Sequence, residues 1–191
     1  MAQETQIGRS PGALYGRRRP QLDGAPLWAT FDQSMIAEID LERARWAEIT
    51  ALTEMLTPGE RLAPGYFVDP DWSAKDLIAH LGMWLTEAET QLINIAANSY
   101  EPHEFDADRR NAATLAALKD QPWDVVWTQA NGARIWMLQA WFALREPGDA
   151  ANRWVRKAGA EHYGEHLDRL RAWVAELIDL RTRPPVDERD P

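Results

Sequence analysis

The chain has 191 residues, a net charge of −9 and 45% aliphatic and aromatic residues, including ten tryptophans. That length and apolar content suit one domain with a substantial core and exclude a disordered tail, while the acidic balance argues against nucleic acid as a partner. With no cysteine, disulfides, thiolate ligands and a cysteine nucleophile are excluded, so any thiol chemistry must take its sulfur from a small molecule.

Residues 1–31 are Gly-, Pro- and Arg-rich and read as a solvated, flexible N-terminal arm, with "RRR" at 17–19 as a contact patch only in the alternative. No apolar core with a positive flank and cleavage site stands in this stretch, and no apolar run reaches membrane-spanning length, so a cytoplasmic, membrane-free protein is expected. From Asp32 to Leu56, Met35, Ile39, Trp46, Ile49, Leu52 and Leu56 recur at helical spacing. "TPGERLAPG" breaks that helix, and Ser73 with Asp76 makes a capping-box start for a second helix that runs to about Asn98. A loop, "NSYEPHEFDAD", and a short helix, "RRNAATLAALKD", lead to Pro122. Residues 122–145 are apolar nearly all round, as in a helix packed on several sides. After "EPGDAANR", one final helix is expected over about 151–181, followed by a loose, Pro-rich tail at 182–191. No strand-like alternation or hairpin signal stands out. Four long helices over 32–181 make an all-α fold, a four-helix bundle.

The final helix carries His162 and His166, four residues apart and hence on one side. On a helical wheel with Leu170 at zero, Tyr163, Leu167, Val174 and Leu177 define the buried arc, His166 falls at about −40° and His162 at about −80°. Both histidines therefore lie on the core side. A single buried histidine is more often a hydrogen-bonded core residue than a ligand. Two in adjacent turns of an apolar face are costlier to satisfy separately, which makes metal ligation as good a reading. A zinc-like ion held by two histidines wants a third protein ligand. In the second helix, His80, Trp84, Glu87 and Gln91 form a polar stripe along one margin of the apolar arc, and His80 can converge with the final pair. Glu87 and Gln91 read by default as ordinary boundary residues.

"DWSAKDLIAHLGMW" followed by "AEHYGEHLDRLRAW" closely resembles the DinB/YfiT-like metal-binding superfamily, and in particular proteins with the N-terminal domain of mycothiol-dependent maleylpyruvate isomerase. The matching positions are Trp72, Ser73 and His80 in the first segment and His162 and His166 in the second. With "NAATLAAL" and the helix after it, the likeness spans roughly residues 32–180. It implies a DinB-type four-helix bundle in which His80, His162 and His166 hold one divalent ion. Mycothiol enzymes of this kind tend to carry glutamate where His162 stands, so the three-histidine set is closer to the general superfamily pattern.

Three neutral imidazoles leave an ion its full charge and an open coordination position. Zinc is the first expectation, with nickel or iron as alternatives. The expected activity is that of a metal-dependent enzyme on an electrophilic small-molecule substrate. It would be a transferase using a small thiol, or a hydrolase; the alternative is a non-catalytic metal-binding or stress-protective protein. A homodimer stays open. Tyr163 and Glu87 are candidate groups behind the ligands or for proton transfer, whereas Glu165 points away on the wheel. His103 reads as a solvated loop residue before an auxiliary ligand. The tryptophan row 123, 127, 136 and 141 reads as core before a substrate wall. No P-loop, dinucleotide-binding glycine pattern or nucleophile elbow occurs.

Overall fold

A computed structural model describes residues 33–68, 71–102, 104 and 106–183. The arginine run at 17–19, the rest of the expected arm, His103 and most of the expected tail lie outside these residues. The described chain is mostly helical. Its elements are α1 (Gln33–Glu54), β1 (Phe67–Val68), β2 (Asp71–Trp72), α2 (Ala74–Ala96), α3 (Ala107–Leu118), α4 (Trp123–Ala143), α5 (Asp149–Ala158) and α6 (Ala160–Thr182). No described helix is long and apolar enough to cross a membrane.

The four long helices bury one stripe each, and α2 packs chiefly on α4 while α1 packs on α6. Along α2, Ala74, Leu77, Ile78, Leu81, Leu85, Ala88 and Leu92 are all buried, the repeat a core-facing helix requires. The α2–α4 seam is tight because Gly82 lies against Ala130, where a Cβ would sit 3.1 Å from its Cα and Cβ. The start of α2 is fixed as the sequence implies. Ser73 Oγ accepts from the Asp76 amide at 3.3 Å, and the Ser73 amide donates to the Asp76 carboxylate at 2.8 Å.

Three expectations change. The final helix is two helices, α5 and α6, meeting at Gly159. A Cβ at Gly159 would approach the Val155 carbonyl oxygen to 2.7 Å and Glu42 Cγ to 3.4 Å. Only glycine fits that elbow, while the apolar period runs on across it. Helix α4 is buried on one face only, through Val126, Ala130, Ala133, Met137 and Trp141, and Ile135 and Trp136 are exposed. The third difference is a short antiparallel hairpin, in which Phe67 pairs with Trp72 and Val68 with Asp71. Strands of two residues are too short to show a period of two.

The core also holds a buried ion pair. Glu42, only 1% exposed, accepts from Arg134 Nε at 2.6 Å and Nη2 at 2.5 Å, and from the Tyr163 hydroxyl at 3.2 Å. The Arg134 guanidinium also lies over the Trp46 ring, 5.7 Å from its centre. Trp46 begins an aromatic stack, with Trp127 at 5.6 Å and Trp123 a further 5.6 Å on. Of the tryptophan row, then, Trp141 is buried, Trp127 and Trp123 stack beside Trp46, and Trp136 stands at the surface.

Candidate metal centre

Helix α2 projects His80 from its polar margin, and the first turns of α6 project His162 and His166 from the core side. The three rings meet. His80 Nε2 lies 2.8 Å from His162 Nε2, which in turn lies 3.3 Å from His166 Nε2. One ring nitrogen from each histidine lies within 4.8 Å of those of the other two, so the three side chains could hold one metal ion.

The outer nitrogens are occupied differently. His80 Nδ1 lies 2.9 Å from Asn111 Oδ1, on α3. His166 Nδ1 lies 3.0 Å from the Tyr66 hydroxyl, which also lies 3.2 Å from the His166 carbonyl oxygen. His162 Nδ1 is buried with no hydrogen-bond partner among the described residues. No charged side chain among those residues is hydrogen-bonded to any of the three rings.

The hairpin roofs the cluster. It brings Phe67 to 6.0 Å from the His166 ring and Trp72 to 5.0 Å from the His80 ring, while Trp84 stands edge-on to His162 at 6.2 Å. Two devices hold the hairpin in place. Gly65 turns at a φ of 118°, a conformation that favours glycine, and its amide and that of Tyr66 both donate to the Trp72 carbonyl. From α6, Arg169 Nε donates to the Tyr66 carbonyl at 2.7 Å and Arg169 Nη2 to the Gly65 carbonyl at 2.8 Å.

Burial sets the charge state. The histidines are 6%, 8% and 9% exposed in chain order. Loss of water pushes His80 down to about 4, against a small opposing pull from Asn111. It pushes His166 to about 4 and His162 to about 2, with the neighbouring imidazoles adding repulsion. All three rings are therefore neutral at pH 7, the state in which imidazole ligates. Metal-free protein should consequently lose stability in mild acid. The folded values lie below the ordinary 6.5, so this contribution is complete above pH 6.5 and is lost as pH falls toward about 4. Urea midpoints of metal-free protein between pH 8 and 4.5 should fall more steeply for wild type than for His162→Leu. Parallel profiles for the two would contradict the buried neutral cluster.

Other candidate residues lie elsewhere. Tyr163 sits beside His162 in sequence, but its hydroxyl donates to Glu42, so it serves the ion pair on the α1 side of α6. Glu87 is buried and bonded to Gln91 Nε2 at 2.6 Å and to Arg110, and neither it nor Tyr163 is hydrogen-bonded to a described histidine. Glu165 is exposed. Tyr66 and Asn111 are the residues sequence reading missed. Nothing in "APGYFVDP" or "RRNAATL" marks either side chain as a histidine partner, because both contacts depend on how distant segments pack.

A cleft of about 670 Å³ opens between α2, α3 and α4, lined by Ala79, Gly82, Glu87, Arg110 and Trp136 among others, but not by the three histidines. In comparisons with known proteins, no family model, curated protein or solved structure matches the chain.

Proposed function

We propose that the chain belongs to the DinB/YfiT-like superfamily, with a bundle of that type formed by α1, α2, α4 and α6. In this reading His80, His162 and His166 hold one divalent ion, zinc first and nickel or iron as alternatives. The protein is then a cytoplasmic, metal-dependent enzyme acting on an electrophilic small molecule, as a small-thiol transferase or a hydrolase. One observation carries the reading: three buried, neutral imidazoles aim the same nitrogen, Nε2, at a common point. Histidines placed only for packing have no need to converge head-on, since two facing lone pairs repel unless a proton or a cation lies between them.

A bound ion would supply Lewis acidity, raising the acidity of an oxygen or sulfur donor that reaches it. The chain's own residues do the rest. The histidines contribute no charge, so the ion's charge is not cancelled by its ligands. Phe67, Trp72 and Trp84 exclude water, which strengthens every electrostatic interaction inside the cluster. With no cysteine in the chain, the sulfur for any thiol transfer comes from a cosubstrate.

Elemental analysis of protein purified without added metal tests the site: about one zinc, nickel or iron per chain is expected. A screen of electrophiles with and without small thiols then tests the activity. Turnover that needs both metal and thiol supports the transferase, turnover with water alone the hydrolase, and a metal content near zero overturns the assignment.

A second reading, a non-catalytic metal-binding or protective protein, is favoured by the burial of the histidines and by a cleft that does not include them. A cobalt-substituted protein whose absorption spectrum ignores every small thiol offered would select this reading over the transferase.

A further inference from the structure

We infer that Asn111 and Tyr66 are positioning residues that lock the tautomers of His80 and His166, so that two Nε2 lone pairs face the cluster before any ion arrives. The Asn111 side-chain oxygen only accepts, so His80 Nδ1, 2.9 Å away, must carry the proton and donate it. His80 Nε2 is then a bare acceptor, pointed at His162.

Tyr66 reaches the same result by another route. Its side chain is fully buried, and a phenol brings one proton to donate and an oxygen that can accept. That proton has two neighbours, the His166 carbonyl oxygen at 3.2 Å and His166 Nδ1 at 3.0 Å. A carbonyl can only accept. If the hydroxyl donates to it, the phenol oxygen is free to accept from His166 Nδ1–H, and both contacts are satisfied. Reversing the ring tautomer leaves one contact unmade between two buried side chains, which is costly. His166 Nε2 is therefore also a bare acceptor.

His162 differs. Its Nδ1 has no partner, while its Nε2 faces two acceptors at 2.8 and 3.3 Å. In metal-free protein its single ring proton belongs on Nε2, shared between His80 and His166. For all three Nε2 atoms to ligate, that proton must move to Nδ1, and only this ring is left unpinned to do so. The hairpin and α3 each fix one ligand, and the free ring changes form on loading.

Two-bond proton–nitrogen NMR of the ring nitrogens in metal-free protein at pH 7.5 tests this directly. Wild type should show His80 and His166 protonated at Nδ1 and His162 at Nε2, and zinc titration should switch His162 alone. Tyr66→Phe should release the His166 tautomer and leave that of His80 in place. Asn111→Leu should do the converse, and Asn111→Asp, which keeps an acceptor oxygen, should restore the His80 signature. Each releasing variant should weaken zinc binding by roughly 10–100-fold. The proposal is overturned if His80 or His166 is protonated at Nε2 in metal-free wild type, or if both releasing variants keep wild-type ring signals. Because the ring signals are read without metal, a protein that binds no zinc would overturn the metal reading while the tautomer assignment is still decided.

Discussion

His162→Ala should weaken zinc binding by more than the roughly 100-fold expected from losing a group that only orients a ligand. His162 Nε2 is the nitrogen that the other two rings approach, at 2.8 and 3.3 Å. Without it, His80 and His166 come from separate helices with nothing between them, and two protein ligands are one fewer than zinc sites ordinarily keep. Glu165→Ala, one turn away and exposed, should leave affinity unchanged. Competition against a chromophoric chelator reads both. Comparable affinity in His162→Ala and wild type would remove the three-histidine assignment, whatever the elemental content.

Arg134→Met should lower stability by about 3–5 kcal/mol, and the thermal midpoint by about 10–15 °C. The reason is Glu42, whose carboxylate is 1% exposed and takes both of its guanidinium bonds from Arg134. Removing the arginine leaves a charge buried in the core with only the Tyr163 hydroxyl to answer it. The double variant Glu42→Leu/Arg134→Met removes both charges and should recover most of the loss, because an apolar pair of similar volume costs little where a lone ion costs much. Calorimetry distinguishes the two cases, and a single variant as stable as wild type would show that Glu42 finds water or another cation. Zinc affinity should be insensitive to both variants, since the ion pair does not touch the histidines.

The three histidines were legible because helical periodicity is a local property. Counting from Leu170 puts His162 and His166 on the core side, and counting along α2 puts His80 on its margin; their burial follows. Glu42 was legible in principle, lying seven residues from both Met35 and Ile49 and hence on their face. The elbow at Gly159 was hidden, because the apolar pattern of α5 continues into α6 and a lone glycine is tolerated in helices. Helix α4 misled for the opposite reason. An all-round apolar sequence suggests all-round burial, yet part of the helix surface faces outward, and Ile135 and Trp136 remain 50% and 58% exposed. Tyr66 and Asn111 were out of reach, since no spacing rule links a residue before a two-residue strand to a histidine one hundred positions later.

Three contacts of the centre span long stretches of chain: 82 residues between His80 and His162, 100 between Tyr66 and His166, and 103 between Tyr66 and Arg169. None of them can form before α6 has been made and has folded back on the first half of the protein. During synthesis, therefore, a nascent chain offers a metal ion scattered single imidazoles and no chelating set until its last helix has emerged. If the cluster holds an ion as proposed, loading is a late event that reports completed topology, and slow closure of these long loops rather than ion supply should limit its rate in freshly diluted, refolding protein.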